Sequence, residues 1–540
     1  SGVALDEELD NEINNDSTLQ NENKSESVLK CIAETANISG SLIALQCTNE
    51  YWTYDELLSS ANRLANYIKR HAVVGAKVAI IASRTANLPI GILAVLNANG
   101  SFCLIDASYP EEKLKSYLGV FGPDFVLVDS ELSCQWLATD FDKRHLFLPN
   151  SKAGYSDLID GSDLTDGESE EPRIARNLSI ENVAYYSFTS GTLGDPKLIA
   201  CDLAPLSHFV SWYRQEFGLQ ANDRFSMLSG VSHDPILRDI FTPLSMGSVL
   251  CIPQQKELLE PGYLGHWIAD NNITVAHLTP SMGELISQSA TQVSTKLRLV
   301  CFGGEKLWFS QAKSFSDFAS NAQLVNVYGA TETPQVMGFE RVDLEQRMGR
   351  ANIIPIGVGI DGVQLLIVND SLAPVGVSEI GEIAIRTPYL SKGYENDTDL
   401  TAFKFPMIDA KSPVLGHSVH GHSSVRIYRT GDLGRYLPDG RIQLIGRCDD
   451  QINIRGFRVE PGEIEQALLR HDGVKAAAVK QVDVNGVSQV VAYVVLTDVS
   501  TSDISDWARV ILPEYMLPQS IVMVEDIPLT ANGKTDYRSL

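Results

Sequence analysis

The chain has 540 residues, 44% of them hydrophobic and 21% charged: apolar material for a large core, and more length than one core uses, so two or more domains of unequal size are expected. Its 43 basic and 68 acidic residues leave a formal net charge of −25, which repels polyanions and argues against a nucleic-acid or anionic-membrane partner. Eight scattered cysteines form no CxxC or Cys/His cluster, pointing away from a zinc site or disulfide framework and toward a reducing, cytoplasmic setting.

In chain order, residues 1–25, "SGVALDEELDNEINNDSTLQNENKS", are acidic, Asn-rich and almost free of large apolar groups, so they are expected to be a disordered linker. They lack the basic start and apolar run of a secretory signal. "WTYDELLSSANRLANYIKR" has helical apolar spacing. The long apolar region "AVVGAKVAIIASRTANLPIGILAVLNANG" is broken by Lys77, Arg84 and Pro89 and reads as strand, turn and helix, not as a membrane span. "KVAIIA", "FVLVDS", "FSMLSG", "SVLCIP", "LRLVCFGG" and "AQLVNVYG" are short buried-strand candidates between helical stretches, the pattern of a largely parallel sheet wrapped by helices. "DLTDGESEEP" reads as an exposed loop.

After about residue 350 the texture changes to "GVQLLIVND", "GEIAIRT", "RIYRTGD" and "RIQLIGR", alternating segments with Gly and Asp turns that suggest an antiparallel subdomain or barrel. Beyond Arg447, "VEPGEIEQALLRH", "KAAAVKQV" and "QVVAYVVLT" give a compact α+β pattern, with the boundary near "GRCDDQ". The expected fold class is α/β: a large domain over 26–448, built of parallel-rich sheets with helices plus a distorted β-barrel subdomain, then a small mobile α+β domain over 449–540.

Four stretches carry chemistry. "YYSFTSGTLGDPKLIAC" (185–201) runs from a buried strand into Thr189, Ser190, Gly191, Thr192, Gly194 and Lys197. Small hydroxyls and glycines let backbone N–H groups approach an anion while the lysine adds a point charge. The spacing is not G-x-x-x-x-G-K-[ST], which disfavours a P-loop NTPase, and a polar hairpin loop is the structural alternative. "NVYGATET" ends a strand at Tyr328-Gly329, where a ring can stack on a base, and continues to Thr331-Glu332, a hydroxyl beside a carboxylate able to carry Mg²⁺; a turn with a buried tyrosine is the alternative. "YRTGDLGRYLPDG" puts Asp432 in a tight Gly turn suited to two ribose hydroxyls, although such turns are also common for structural reasons. "LTANGKTD" places Lys534 after an Asn-Gly turn, where a solvated side chain is the plain reading.

In their order and spacing, "FTSGTLGDPK", "NVYGATET", "YRTGDL", "GRCDDQINIRGFRVEPGEIE" and "LTANGK" resemble the adenylation domain of a nonribosomal peptide synthetase, within the adenylate-forming superfamily of acyl-CoA synthetases and luciferases. The resemblance runs from about residue 26 to 540. It implies activation of a carboxylic acid by ATP and Mg²⁺ as an acyl-adenylate, with release of pyrophosphate. The acyl group then passes to the phosphopantetheine thiol of a separate, downstream peptidyl carrier domain.

By the same resemblance the 189–197 loop holds the β- and γ-phosphates, Tyr328 flanks the adenine and Asp432 binds the ribose hydroxyls, with Gly329, Ala330 and Arg447 also in the nucleotide site. Thr331 contacts the α-phosphate, Glu332 helps hold Mg²⁺, and Lys534 bridges the substrate carboxylate and the α-phosphate. Asp449, beside Asp450, matches the hinge about which the small domain turns to present the "NIRGFR" loop around Gly456 to the carrier thiol. Two positions depart from the family pattern: Leu193 replaces a usual threonine and Ala330 a common proline, implying a weaker phosphate grip or altered loop order rather than loss of function. A standalone acyl-CoA ligase and a non-enzymatic interaction module are the rival classes; a small accessory protein is a further candidate partner.

In "SGVSHDPILRDIFTPL", Asp234 matches the aspartate that binds a substrate α-amine in this family, although Asp followed by Pro235 is also an N-cap pattern. Arg238 lies four residues on, on the same helical face. The resemblance lines the pocket with Asp234, Pro235, Arg238, His277, Val300, Phe302, Val327, Gln335 and Val336, with Lys534 at the reacting end. Arg238 and His277 form a cationic floor, and a buried arginine needs an anion, supplied by Asp239 or by the substrate. The substrate is the expected source. Asp234, Pro235, Arg238 and His277 resemble the pocket start of domains that activate the distal carboxylate of an amino dicarboxylic acid, such as α-aminoadipate reductases and glutamate or methylaspartate units of cyanobacterial synthetases. There the α-amine meets Asp234 and the α-carboxylate meets Arg238 and His277. Activation of an ordinary α-carboxylate, with Arg238 binding a polar side chain, is the alternative.

Overall fold

The computed structural model describes residues 26–528 apart from 49, 130–135, 138–143, 150, 157, 159–181, 191–195, 259, 346–352, 410–423, 450, 455 and 485–486, and beyond 528 only 535, 537, 539 and 540. The acidic first 25 residues, the "DLTDGESEEP" stretch, Gly191 to Gly194, Asp450 and Lys534 lie outside the described residues.

The alternation of apolar runs and amphipathic stretches resolves into two helix-covered sheets. One has seven strands in the order 393–394, 197–201, 185–189, 101–106, 77–82, 125–129, 144–148; the last five are mutually parallel. The other has nine strands, 358–359, 333–341, 323–330, 299–302, 275–278, 224–226, 249–251, 43–46, 51–53, with a parallel centre and antiparallel strands at both ends. Helices on both faces explain why "KVAIIA" is apolar throughout and does not alternate, and five of its six residues are buried. The predicted amphipathic helix forms over Tyr54–His71, opened by a Thr53/Glu56 capping box and burying Leu57, Leu58, Ala61, Leu64, Ala65 and Ile68. A third, five-stranded antiparallel sheet spans 364–447, the barrel-like subdomain read from its Gly and Asp turns.

Twelve elements frame the site. They are helices α1 (Glu111–Phe121), α2 (Ala204–Glu216), α3 (Pro235–Leu244) and α4 (Pro461–Leu469), and strands β1 (Tyr185–Thr189), β2 (Lys197–Cys201), β3 (Val275–Leu278), β4 (Leu299–Phe302), β5 (Gln323–Ala330), β6 (Thr333–Arg341), β7 (Ser424–Tyr436) and β8 (Ile442–Arg447).

The C-terminal region has its own apolar cluster, in which Ile464 and Leu468 of α4 pack with Val479, Ala492, Val494 and Ile504. It lies against the large domain through a mainly aromatic seam. Tyr515 stacks on Phe457 with ring centroids 4.1 Å apart and reaches Tyr109 at 6.1 Å, while Phe457 meets His233 edge-on at 4.4 Å. Beside it, Lys113 of α1 pairs with Glu463 of α4, both almost fully buried. Among the described residues no helix is long and apolar enough to cross a membrane.

Candidate functional site

The motif residues converge where β1, β5, β7 and the 451–460 segment of the small domain meet. Tyr328, near the end of β5, donates its hydroxyl to Asp432 Oδ2 at 2.6 Å. Arg447 on β8 takes the other carboxylate oxygen of Asp432 and binds Asp449 with two hydrogen bonds, at 2.6 and 2.8 Å. The hinge candidate is thereby tied to the ribose candidate through one guanidinium. A carboxylate has about four acceptor positions, so Asp432 with one bond at each oxygen keeps capacity for ribose hydroxyls.

Glu332, in the turn between β5 and β6, is 2% exposed. Its Oε1 accepts from Tyr394 at 2.7 Å and its Oε2 faces Arg458 Nη1 of the small domain at 3.4 Å. Burial pushes its pKa up, but the Arg458 charge and the tyrosine hydrogen bond outweigh this and hold it below the ordinary value. Thr331 stands half-buried beside it. Among the loop residues, Thr189 pairs with Lys197 across the β1–β2 ladder. Ser190 Oγ donates to the Arg458 carbonyl at 2.9 Å and accepts from the Glu460 N–H at 3.0 Å, so the small domain touches the start of the loop. Gly456 packs directly on Gly304: a Cβ at Gly304 would come within 3.1 Å of the Gly456 Cα. A side chain at Gly456, whose φ is +85°, would strike Thr279 at 2.6 Å, so only glycine allows this approach.

The residues expected to line an acid pocket begin at the start of α3. Asp234 and Pro235 start α3, and the Asp234 side chain makes no helix cap; instead Gln335 N–H donates to its Oδ2 at 3.2 Å. Gln335 sits at φ +76°, a costly conformation for a non-glycine, held by that bond and by its side-chain amide on the Asp234 carbonyl. Burial raises the Asp234 carboxyl to about 6 against the opposing pull of the Gln335 N–H and Arg238. Arg238 is 7% exposed, yet among the described residues no hydrogen bond or ion pair reaches it, and its Nε is buried without a partner.

His277 behaves differently. Its Nδ1 lies 2.7 Å from Asp239 Oδ1 and its Nε2 3.0 Å from the Tyr213 hydroxyl, so both ring nitrogens are engaged by the protein. Burial lowers its pKa; the Asp239 bond opposes that and the nearby Arg238 charge adds to it. The cationic floor read from the sequence therefore narrows to Arg238. Strand alternation separates the other lining candidates. In β4, Leu299 and Cys301 face the side of the sheet carrying α2 and α3, whereas Val300 and Phe302 enter the apolar cluster on the opposite face, where Phe302 meets Phe315 edge-on at 5.2 Å. Val327 and Val336 belong with His277's side. Asp239, considered from the sequence as a counter-ion to Arg238, is instead bonded to His277, and Tyr213 and Cys301 are neighbours of His277 that no motif marks. Cys301 is paired in register with His277 and lies between two expected lining residues, the one available signal; Tyr213 on α2 carries none.

A match to the family described as AMP-binding enzyme covers residues 32–395, and a match to its C-terminal domain covers 463–534; the chain belongs to the AMP-binding, adenylate-forming enzymes. It is 31% identical to the L-2-aminoadipate reductase of Schizosaccharomyces pombe over 91% of this chain and 38% of that protein. Against one of the linear gramicidin synthase proteins of Brevibacillus parabrevis it is 33% identical over 90% of this chain and 6% of that protein. The chain thus spans less than half the length of these curated relatives. In structure it is similar to an artificially fused adenylation–PCP di-domain from Klebsiella oxytoca, with a TM-score of 0.78 and 21% identity over 93% of this chain and 94% of the other. A synthetase protein containing adenylation and PCP domains, bound to a vinylsulfonamide inhibitor, gives a TM-score of 0.76 and 25% identity over 97% of this chain and 85% of that one. The α/β class with its antiparallel subdomain and small C-terminal domain is the architecture of these adenylation structures.

Proposed function

We propose that this enzyme activates an amino dicarboxylic acid at its distal carboxylate with ATP and then hands the acyl group to a carrier-bound phosphopantetheine thiol. The observation that carries the substrate reading is Arg238: among the described residues no hydrogen bond or ion pair reaches this buried guanidinium, a costly state that an anionic ligand group relieves. Asp234, at the start of the same helix and opposite the strained Gln335, would take the α-amine, and Arg238 the α-carboxylate. The acyl carrier step and the class of acid draw support from relatives that include aminoadipate reductases and peptide synthases.

ATP fits the donor set around Tyr328, Asp432 and Arg447, with Thr189, Ser190 and Lys197 at the phosphate end. Among the described residues no group of three or more metal-ligating side chains occurs, so Glu332 and the triphosphate itself would hold Mg²⁺, which would neutralise phosphate charge. The chain's own contribution is positioning and charge, because displacement at phosphorus needs little covalent help. Gly456 at the Gly304 backbone, together with the small domain on Ser190 and Glu332, is the arrangement suited to the transfer half-reaction; Lys534 would arrive by a rotation about Asp449 for adenylation.

ATP–pyrophosphate exchange with glutamate, aspartate, methylaspartate, 2-aminoadipate, arginine and tyrosine, repeated with Arg238→Ala, tests the reading. Exchange confined to dicarboxylates and lost in the variant supports it; equal exchange in the variant refutes it. The alternative, activation of an ordinary α-carboxylate with a polar side chain at Arg238, is separated by exchange with the side-chain amides glutamine and asparagine, whose distal group cannot be activated.

A further inference from the structure

Asp239 follows Arg238 in sequence and is fully buried, which makes it a candidate internal counter-ion, yet the three hydrogen bonds that it accepts all come from other donors. Oδ2 accepts from the Leu228 N–H at 3.1 Å and the Ser229 N–H at 2.8 Å, and Oδ1 from His277 Nδ1 at 2.7 Å. The peptide carbonyls of the same two residues face Arg84, whose Nη2 donates to Leu228 O at 3.2 Å and Ser229 O at 2.8 Å. Arg84 is itself buried, and its charge acts on Asp239 across those peptides.

The rest of the cluster runs in one direction. With a neutral imidazole donating from Nδ1, Nε2 must accept, and the Tyr213 O–H at 3.0 Å is its donor. The Tyr213 oxygen then accepts from the Cys301 S–H at 3.4 Å. Each group is buried, and each is fixed by its element: His277 and Cys301 are register partners on β3 and β4, and Tyr213 is clamped by Phe209 and Phe217, with ring centroids at 5.1 and 5.4 Å. The Arg238 charge is felt at His277, Tyr213 and Cys301, as it is at Asp234, while among the described residues none of them hydrogen-bonds to it.

We propose that the Cys301–Tyr213–His277 chain sets the charge selectivity of the pocket by holding Asp239 away from Arg238, so that Arg238 stays available to an anionic group of the substrate. His277 and Tyr213 are positioning residues here and do not touch the acid. The proposal rests on the assignment of Arg238 to the ligand made above. It predicts that freeing Asp239 converts an external ion pair into an internal one.

The test is steady-state pyrophosphate exchange with 2-aminoadipate and glutamate for His277→Leu, Tyr213→Phe, Arg238→Ala and the double variant His277→Leu/Asp239→Asn. His277→Leu is expected to raise KM for the better of the two acids about tenfold with kcat nearly unchanged, because Asp239 now neutralises Arg238. Adding Asp239→Asn removes the competing charge while keeping an oxygen for the Leu228 and Ser229 N–H groups, and is expected to bring KM back to within about threefold of the parent. Tyr213→Phe, which removes one hydroxyl and keeps the ring, is expected to raise KM by a smaller factor and serves if His277→Leu does not fold. An unchanged KM in both His277→Leu and Tyr213→Phe, or no recovery in the double variant, overturns the proposal while a loss in Arg238→Ala leaves the parent reading standing. An unchanged KM in Arg238→Ala overturns both.

Discussion

Arg458 Nη1 of the small domain lies 3.4 Å from Glu332 Oε2, on the carboxylate that would carry a divalent cation when ATP is bound. A guanidinium and a metal ion cannot both occupy that oxygen, so the docked orientation and the Mg²⁺-loaded one compete for the same negative charge. The pair is partly buried, and its loss is expected to cost the docked orientation about 2–3 kcal/mol, between the values for exposed and buried pairs. Arg458→Ala should slow transfer of a preformed adenylate to a carrier thiol by a factor of ten or more, on the order set by that energy, and change pyrophosphate exchange far less. Fluorescence energy transfer between labels on the two domains should show MgATP displacing the small domain in the parent; an unchanged signal would count against the competition.

Lys113 and Glu463 join α1 to α4 in a buried contact beside the Tyr109–Tyr515–Phe457 seam. Breaking one partner leaves an unpaired buried charge, at a cost of about 3–5 kcal/mol. Lys113→Ala should therefore loosen the docked small domain, seen as faster proteolysis near residue 449, and the Lys113→Glu/Glu463→Lys exchange should restore much of the protection. No recovery in the exchanged pair would show that packing, and not charge, holds the seam.

Asp234 gives a pH signature. Its carboxyl is raised by burial to about 6 from an ordinary 3.8, so between those values the native state holds a proton that the unfolded chain has released. Stability from this group is then present at low pH and is lost as pH rises toward 6, up to about 3 kcal/mol for a shift of this size. Asp234→Asn should consequently raise Tm of the ligand-free enzyme at pH 7.5 while abolishing exchange with α-amino acids. Below pH 6 the parent's KM should climb as the carboxylate that pairs with the amine is protonated. A Tm unaffected by the substitution would contradict the assignment of burial as the cause.

Lys534 lies outside the described residues, and its role is expected from the resemblance alone. Lys534→Ala should lower pyrophosphate exchange by roughly 10²–10³-fold, the scale of one well-placed electrostatic donor, and leave transfer from a supplied adenylate nearly intact. Equal loss in both half-reactions would argue that the lysine serves folding.

On the nucleotide side, contiguous motifs made Tyr328 and Glu332 legible, near the end of β5 and in the turn after it, and Tyr328 meets Asp432 in space; the tight Gly turn expected at Asp432 is instead the interior of β7, where Asp432 is the register partner of Arg447. The apolar strands were legible for a related reason, since burial on both faces writes itself as unbroken apolar runs. The acid pocket was less so. Whether Val300 or Cys301 faces α2 depends on strand phase, which four apolar residues in a row do not reveal, and the bond between His277 and Asp239 joins β3 to α3 across 38 positions. Tyr213 bears on the site only through tertiary packing, so no local pattern announces it. The seam contacts Tyr109–Tyr515 and His233–Phe457 and the Lys113–Glu463 pair join residues hundreds of positions apart and likewise leave no trace in any window.

A crystal structure of the enzyme with 2-aminoadipate and a non-hydrolysable ATP analogue tests the central claim most directly. The ligand's α-carboxylate is expected within about 3 Å of the Arg238 guanidinium, its amine on Asp234, its distal carboxylate toward the α-phosphate, and His277 still on Asp239. An Arg238 paired with Asp239, or a ligand whose α-carboxylate faces the nucleotide, would contradict it.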